Sequence, residues 1–121
     1  MRQQWKGYIR IIATVLLVAG PGLLGINRAR GAITPVGQLV PAYDGSSDPW
    51  SIEGDLAVGN TLGGELTVSG GSDITNVNGF LGVSQGVTGI TTITGAGSTW
   101  TNSGFLIVGY EGTGDLTIES S

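Results

Sequence analysis

A tandem repeat constrains the fold of this chain more than any other feature. One phrase, G-x-L-x-V-[GS], starts at Gly54 and returns at Gly79 and Gly104, a constant 25-residue step. A second phrase, G-x-[LT]-T-[VI], starts at Gly64 and returns at the same step. No gap interrupts this alignment. The chain therefore contains three successive repeat units, residues 45–69 (unit 1), 70–94 (unit 2) and 95–119 (unit 3).

Each unit contains two short segments in which apolar side chains alternate with other residues. This period of two predicts β-strands whose alternate residues face inward. The inward columns predicted at the first strand are Leu56, Leu81 and Leu106, and Val58, Val83 and Val108. The inward columns predicted at the second strand are Leu66, Thr91 and Leu116, and Val68, Ile93 and Ile118, and its outward column is Thr67, Thr92 and Thr117.

A glycine stands at the start of each of these segments. Because glycine tolerates a positive φ, these positions predict tight corners between the strands. The abundance of glycine also argues against helices, since each Gly inside a helix costs roughly 0.5–1 kcal/mol. The six positions are Gly54, Gly79, Gly104, Gly64, Gly89 and Gly114.

The constant step predicts an all-β fold, namely a parallel β-helix (β-solenoid) of about three 25-residue rungs. Equivalent residues would then stack about 4.8 Å apart along the axis. Residues 73–78 and 98–103 are more polar and predict a third face, on which Asn and Ser form stacked hydrogen bonds. The alignment places Trp100 in one column with Thr75 and Trp50.

The residues before the repeat have the opposite charge from the repeat itself. All five Lys and Arg residues lie between Arg2 and Arg30, whereas all nine acidic residues lie between Asp44 and Glu119. We predict an N-terminal signal helix, namely a signal peptide over residues 1–31, from the basic start, the apolar run 11–26 and the small residues around Arg30. An uncleaved membrane anchor is the alternative. Residues 32–44 break the repeat and predict either a linker or an N-terminal cap.

The composition of the repeat excludes several kinds of partner and site. Residues 32–121 contain no Lys, Arg or His, which argues against nucleic acid and confines any membrane contact to the N-terminal segment. The chain has no Cys, so disulfides and Cys/His zinc sites are excluded. Turns rich in Asp, Gly and Ser match no calcium-binding loop. We therefore predict no metal site and no cofactor.

The acidic residues do not form a recognisable catalytic arrangement. A glycosidase needs two carboxylates that flank the scissile bond. Glu53 and Asp55 are close in sequence, and Glu65 is separated from Asp115 by Ile90 in the same column, so no carboxylate pair with a base and an orienting group emerges. We predict no catalytic residues and no enzymatic activity.

Aromatic residues are the candidates for a binding surface. The predicted glycan contacts are Trp50, Trp100 and Tyr110, and Phe80 and Phe105 would extend such a surface. Aromatic rings stack well on sugar rings when they are exposed, but a Trp buried at a corner of the fold is an equally good interpretation, because it contributes a large apolar area.

The pattern from Gly95 to Ile118, G-x-G-S-x-W-x-N-S-G-x-L-x-V-G-x-x-G-x-G-x-L-T-I, resembles the repeat of bacterial autotransporter (type V secretion) passengers and PEP-CTERM-associated exported proteins. Units 1 and 2 match more loosely, with Thr75 in place of Trp and Ser84 in place of Gly. The resemblance covers residues 45–121 and attaches no catalytic residue to the repeat.

The resemblance implies an exported protein, extracellular or associated with the outer membrane or cell surface. The implied function is a structural or adhesin-like scaffold, with surface glycans or other surface proteins as partners. The β-barrel and the sorting signal of the family have no counterpart here, so we expect a fragment truncated at its C-terminus. The alternative is a fragment of a β-helix carbohydrate-active enzyme whose catalytic rungs lie beyond residue 121.

Overall fold

The computed structural model describes residues 31–119, together with the backbone of three short N-terminal strands within residues 2–14. The described residues fold as an all-β structure without a helix. In chain order their strands are β1 (Arg2–Gln3), β2 (Gly7–Ile9), β3 (Ile12–Thr14), β4 (Ala32–Gly37), β5 (Leu39–Val40), β6 (Trp50–Ser51), β7 (Leu56–Val58), β8 (Gly64–Ser69), β9 (Asp73–Asn76), β10 (Gly79–Leu81), β11 (Thr88–Thr94), β12 (Thr99–Asn102), β13 (Leu106–Val108) and β14 (Thr113–Glu119).

Each repeat unit contributes one strand to each of three open sheets. Sheet I has the strand order β1-β14-β11-β8-β4, sheet II has β2-β13-β10-β7-β5, and sheet III has β3-β12-β9-β6. Strands of successive units pair in parallel, whereas β1 to β5 pair antiparallel at the two ends. The repeat of the sequence therefore corresponds to the separation along the chain between neighbouring parallel strands.

Sheet I keeps the constant step of the sequence throughout. Thr92 pairs with Thr67 on one side and with Thr117 on the other. The predicted inward residues of this sheet are fully or almost fully buried, except for Ile118, which is partly buried and packs against the core. Thr67 and Thr92 are half-buried, as an outward column requires. Thr117 is buried instead, and the described residues give no reason for this difference.

The glycines that open the strands have a different role from the predicted one. None of the six has a positive φ. A Cβ on Gly89 would lie 1.9 Å from the carbonyl oxygen of Val58, and a Cβ on Gly64 would lie 2.1 Å from that of Gln38. These two glycines are required because the backbone of an adjacent strand or corner passes too close for any side chain.

Sheet II departs from the constant step in unit 2. Gly79, and not Leu81, pairs with both Leu56 and Leu106, so unit 2 is shifted by two positions relative to its neighbours. The predicted leucine column is therefore wrong, although all three leucines are buried. Leu81 instead lies between the two buried valines of units 1 and 3. Val83, which was predicted to face inward, is only half-buried.

A glycine corner explains this two-position shift. Sheet II ends in each unit at a glycine with a positive φ, 76° at Gly59, 69° at Gly82 and 84° at Gly109. The equivalent residue at the constant step would be Ser84, and a side chain is strained in this conformation. Unit 2 therefore turns earlier, at Gly82, and the loop that follows this corner is correspondingly longer.

Sheet III contains the two repeat tryptophans. Trp50 pairs with Ile74, and Ile74 pairs with Trp100. The predicted alignment of Trp100 with Thr75 is thus wrong by one position. The turn that leads into β9 spans residues 70–72, whereas the turn into β12 spans residues 95–98, which accounts for the shift.

The inward faces of the three sheets share one hydrophobic core. Full burial of a Leu, Ile or Val side chain contributes about 1.5–3 kcal/mol, so this core is the main source of stability. It consists of Ile33, Leu39, Trp50, Leu56, Val58, Leu66, Val68, Ile74, Leu81, Ile93, Trp100, Leu106, Val108 and Leu116.

The sequence predicts either a linker or an N-terminal cap over residues 32–44. In the structure, residues 32–40 lie against unit 1. β4 pairs antiparallel with β8, and β5 with β7. Gln38 mimics a strand corner, because its N–H donates to the carbonyl of Gly63 and its carbonyl accepts from the N–H of Gly59, both at 2.9 Å. Its side-chain Oε1 accepts from the N–H groups of Thr61 and Leu62. These contacts cover the unit 1 edges of sheets I and II, whereas in sheet III β6 is the last described strand at this end.

At the opposite end, β1, β2 and β3 pair antiparallel with β14, β13 and β12 of unit 3. The rest of the predicted signal segment, residues 1–31, lies outside the described residues apart from Gly31. In the part of the chain that the structure describes, no helix has the length and apolarity needed to cross a membrane.

Candidate functional site

The two tryptophans predicted as glycan contacts are buried. Trp50 is 7% exposed and Trp100 is fully covered, so neither indole presents a face to a sugar ring. Trp50 packs against Tyr43, with 4.8 Å between the ring centroids. The indole N–H of Trp100 donates to Oδ1 of Asn76 at 2.5 Å. The structure therefore assigns both tryptophans to the core, in agreement with the alternative interpretation of these residues.

Three other aromatic side chains form a cluster on the outward side of sheet II, which we call the aromatic cluster (Phe80, Phe105 and Tyr110). Phe80 lies at its centre, with its ring centroid 5.8 Å from that of Phe105 and 5.8 Å from that of Tyr110. Both pairs have the edge-to-face geometry that aromatic rings prefer. Tyr110 is 55% exposed, and the two phenylalanines are half-buried.

The backbone of sheet II directs this cluster outward. Phe80 pairs with Ala57 of unit 1 and Ile107 of unit 3, and its neighbours Gly79 and Leu81 face the core. Val40 continues the same outward row, because it pairs with Ala57, and it is 43% exposed. Phe80 therefore belongs to an outward apolar row that crosses the sheet and consists of Val40, Ala57, Phe80 and Ile107.

The shift in unit 2 brings Phe80 into this row. At the constant step of the repeat, Gly82 would have stood between Ala57 and Ile107. The shift also brings the corner of unit 2 next to Tyr110, whose N–H donates to the carbonyl of Gly82 at 3.1 Å. The shift of unit 2 therefore assembles the aromatic cluster and also fixes the backbone of Tyr110, its most exposed residue.

A short chain of hydrogen bonds holds the corner that carries Phe105. Asp55 accepts from the side-chain amide of Asn78 at 2.9 Å, and Oδ1 of Asn78 accepts from the N–H of Phe105 at 3.0 Å. A Cβ on Gly104 would lie 2.1 Å from this Oδ1, so a larger residue at this position would displace the side chain of Asn78. Carboxylate and amide groups are thus placed at the border of the aromatic cluster.

Sequence reasoning named the cluster members but missed Asp55 and Asn78. The two residues are 23 positions apart, and a search at the constant step aligns Asp55 with Phe80 instead. The signal that could have found them is the corner glycine of unit 2. Moving that corner to Gly82 brings residues 55 and 78 opposite each other.

Other carboxylates also link successive units. Oδ1 of Asp48 accepts from the N–H of Asp73 at 3.1 Å, and Oδ1 of Asp73 accepts from the hydroxyl of Thr99 at 2.6 Å. Glu65 and Asp115 are separated by Ile90 in the pairing of sheet I, as predicted. Among the described residues, no group of three or more acidic side chains is placed to hold a metal ion.

Asp44 organises the turn with which unit 1 begins. Its carboxylate accepts from the hydroxyl of Ser47 and from the N–H groups of Ser47 and Ser46. These bonds, with that of the Ser47 hydroxyl the strongest, lower the pKa of Asp44 to about 2. Burial, with smaller contributions from Asp44 and Asp48, raises the pKa of Tyr43.

A shallow groove of about 400 Å³ lies between the β4–β5 strands and the turn that follows β7. Its prominent polar atom, Oε1 of Gln38, already accepts two backbone hydrogen bonds from the turn. The described residues of its wall offer apolar surface of modest extent and no charged side chain. They include Pro35, Gln38, Leu39, Ala42, Tyr43 and Leu62.

Comparison with protein-family models, with curated proteins and with solved structures finds no match for this chain.

Proposed function

We propose that the chain is a parallel β-solenoid that serves as a non-catalytic scaffold. The observation that carries this proposal is the parallel pairing of all three units in all three sheets around one core. In such a stack the outward residues of successive units lie next to one another, which suits a structural or adhesive rod. The hydrogen-bonded carboxylates support the absence of catalysis, because Asp48, Asp55 and Asp73 connect one unit to the next.

The scaffold is proposed to act outside the cell or at the cell surface. The support for export is the basic and apolar character of residues 1–31 and the resemblance of unit 3 to autotransporter and PEP-CTERM-associated repeats. The acidic character of residues 32–121 suits a soluble, extended surface.

The partners that we propose are surface glycans, bound weakly at the aromatic cluster. Tyr110 offers an exposed ring with a polar hydroxyl, and Phe80 supports it from below. Asp55 and Asn78 border the cluster and present oxygen and amide groups to sugar hydroxyls. The acidic surroundings disfavour anionic sugars, so neutral oligosaccharides are the expected ligands.

Saturation-transfer NMR on a panel of neutral oligosaccharides tests this proposal. The variant Tyr110→Ala should weaken binding by about 1 kcal/mol, or roughly fivefold, because it removes the exposed ring. Leu62→Ala is the matched control, since Leu62 is equally apolar and is 68% exposed at a different corner. It should leave binding unchanged.

Two outcomes would count against glycan binding at this cluster. One is saturation transfer that persists unchanged in Tyr110→Ala. The other is the absence of transfer to every sugar in the panel while the protein is folded. The second result would leave other surface proteins as the partners of the scaffold.

A further inference from the structure

Two polar residues, which we call the polar pair (Asp55 and Asn78), lie beside the apolar row on the outward side of sheet II. Leu56 is buried and pairs with Gly79, so the residues that precede these two stand next to each other and face outward. Asp55 is exposed and Asn78 is half-buried. Asn78 is two positions before Phe80, and alternate residues of an extended chain share one face. The polar pair therefore adjoins the aromatic cluster.

The backbone of Phe105 determines the orientation of the Asn78 amide. The N–H of Phe105 can only donate, so the Asn78 atom that faces it at 3.0 Å is Oδ1. Nδ2 of Asn78 consequently faces Asp55 and donates to its Oδ1 at 2.9 Å. The backbone N–H of Asn78 donates to the same oxygen at 3.2 Å. A single carboxylate oxygen thus receives both hydrogen bonds within the pair.

Each member of the polar pair keeps a group that can bind a ligand. Oδ2 of Asp55 accepts no hydrogen bond from the part of the chain that the structure describes. Nδ2 of Asn78 carries two hydrogens, and the described contacts use one of them. A charged acceptor and a donor therefore lie side by side. This combination suits two neighbouring hydroxyls of a sugar, one of which donates to the carboxylate while the other accepts from the amide.

The exposed ring of Tyr110 lies at the opposite end of the site. The N–H of Tyr110 donates to the carbonyl of Gly82, which is four residues after Asn78. At about 3.3 Å per residue, Gly82 and Asn78 are about 13 Å apart along the strand. Phe80 stands half-way between them, and its ring centroid is 5.8 Å from that of Tyr110. A single pyranose ring is too short to contact both ends of this site.

We propose that the outward side of sheet II has three successive sugar subsites, at Tyr110, at Phe80 and at the polar pair, which bind a linear, uncharged oligosaccharide of at least three residues. The inference rests on the glycan binding proposed above and adds the minimum length of the ligand and the residue that sets it. Alternate positions of a strand are about 6.6 Å apart, so each subsite holds one sugar. Oδ2 of Asp55 accepts from a hydroxyl of the third sugar, and Nδ2 of Asn78 donates to the neighbouring hydroxyl.

The charge of Asp55 restricts the sugar at the third subsite. Residues 32–121 contain no Lys, Arg or His, so no cation of the repeat compensates a negatively charged ligand. A uronic acid or a sulfated sugar at this subsite would place its charge against the carboxylate, and the repulsion would oppose binding. A neutral sugar with two adjacent hydroxyls satisfies both members of the polar pair.

NMR titration of the full chain with β-1,4-linked glucose oligomers, from the monosaccharide to the pentasaccharide, tests this inference. The trisaccharide should bind about five- to tenfold more tightly than the disaccharide, because it is the first to reach the polar pair. The tetrasaccharide and pentasaccharide should bind with nearly the same affinity as the trisaccharide. Tyr110→Ala should weaken the binding of every oligomer, since the aromatic subsite is used at every length.

Asp55→Asn is the variant that isolates the third subsite. The new amide oxygen still accepts from Asn78, so the corner is preserved, but the free oxygen that accepts from the sugar is lost. The trisaccharide should bind about fivefold more weakly, and the affinities of the monosaccharide and disaccharide should not change. Glu53→Gln is the matched control, because it removes the same charge from an exposed residue outside the site. It should leave the affinity of every oligomer unchanged.

Three results would refute the arrangement of three subsites. Two are equal affinities for the disaccharide and the trisaccharide, and a loss in Asp55→Asn that is the same for every length. Both would leave glycan binding at Tyr110 intact, so they overturn this inference alone. The third is the absence of binding by all five oligomers to the folded chain. Saturation transfer to the wider panel of neutral oligosaccharides then decides separately whether the proposed function stands.

Discussion

The substitution Gly82→Ala tests the physical reason for the shift in sheet II. Gly82 has φ of 69°, a conformation that costs roughly 1–2 kcal/mol for a residue with a Cβ. The new Cβ would also lie 2.1 Å from the carbonyl oxygen of Thr113, a backbone atom of unit 3 that cannot move independently. Together these effects should lower the free energy of unfolding by at least about 3 kcal/mol.

Urea denaturation followed by tryptophan fluorescence measures this loss, because Trp50 and Trp100 are buried and report on unfolding. Gly54→Ala is the control, since an added Cβ there meets no atom within 4 Å and φ is not positive. Its effect should stay within about 0.5 kcal/mol.

A second variant tests whether the loss of stability arises at the corner itself or from a general destabilisation of unit 2. Ser84→Gly, added to Gly82→Ala, supplies a corner glycine at the constant step and should recover part of the lost stability. If Gly82→Ala alone costs less than about 1 kcal/mol, the corner does not set the register, and the explanation of the shift is refuted.

Three further tests concern the core, the buried hydrogen bond between Trp100 and Asn76, and the turn at the start of unit 1. Leu81→Ala should cost about 2–5 kcal/mol in urea denaturation and Val83→Ala under about 1 kcal/mol, because only Leu81 is fully buried; equal losses would contradict the shifted register. Trp100→Phe leaves Oδ1 of Asn76 without its donor and should cost about 1–3 kcal/mol in the same assay, so a neutral effect would argue against this buried hydrogen bond. The pKa of Asp44 is lowered to about 2, so the ionised carboxylate stabilises the turn fully above about pH 3.8, and this contribution is lost as the pH falls through about 2. Carbon-detected NMR titration should give this low pKa. A value near 3.8 would show that these hydrogen bonds do not stabilise the ionised carboxylate.

The sequence predicted most of sheet I and less of the other two sheets, for a physical reason. In sheet I the glycines 64, 89 and 114 lie against adjacent backbone and hold the step constant from unit to unit. Periodicity therefore suffices there, and Leu66, Val68 and Leu116 are buried as predicted.

In sheets II and III the register depends on where each turn begins. Gly82 moves one corner by two positions, and a shorter turn moves Ile74 by one position relative to the tryptophans. A search for identical residues at a constant step does not detect such shifts. The aromatic cluster depends on the shift at Gly82. The sequence therefore predicts its members as parts of a surface but does not predict their contact through Phe80.

The three units pair in parallel, and unit 2 is shifted by two positions in sheet II. NMR couplings across hydrogen bonds test it directly, because they identify the donor and the acceptor of each bond. This register predicts a coupling from the N–H of Gly82 to the carbonyl of Val58 and one from the N–H of Gly109 to the carbonyl of Leu81. A coupling from Ser84 to Val58 would contradict the register, and antiparallel couplings between the units would contradict the stack itself.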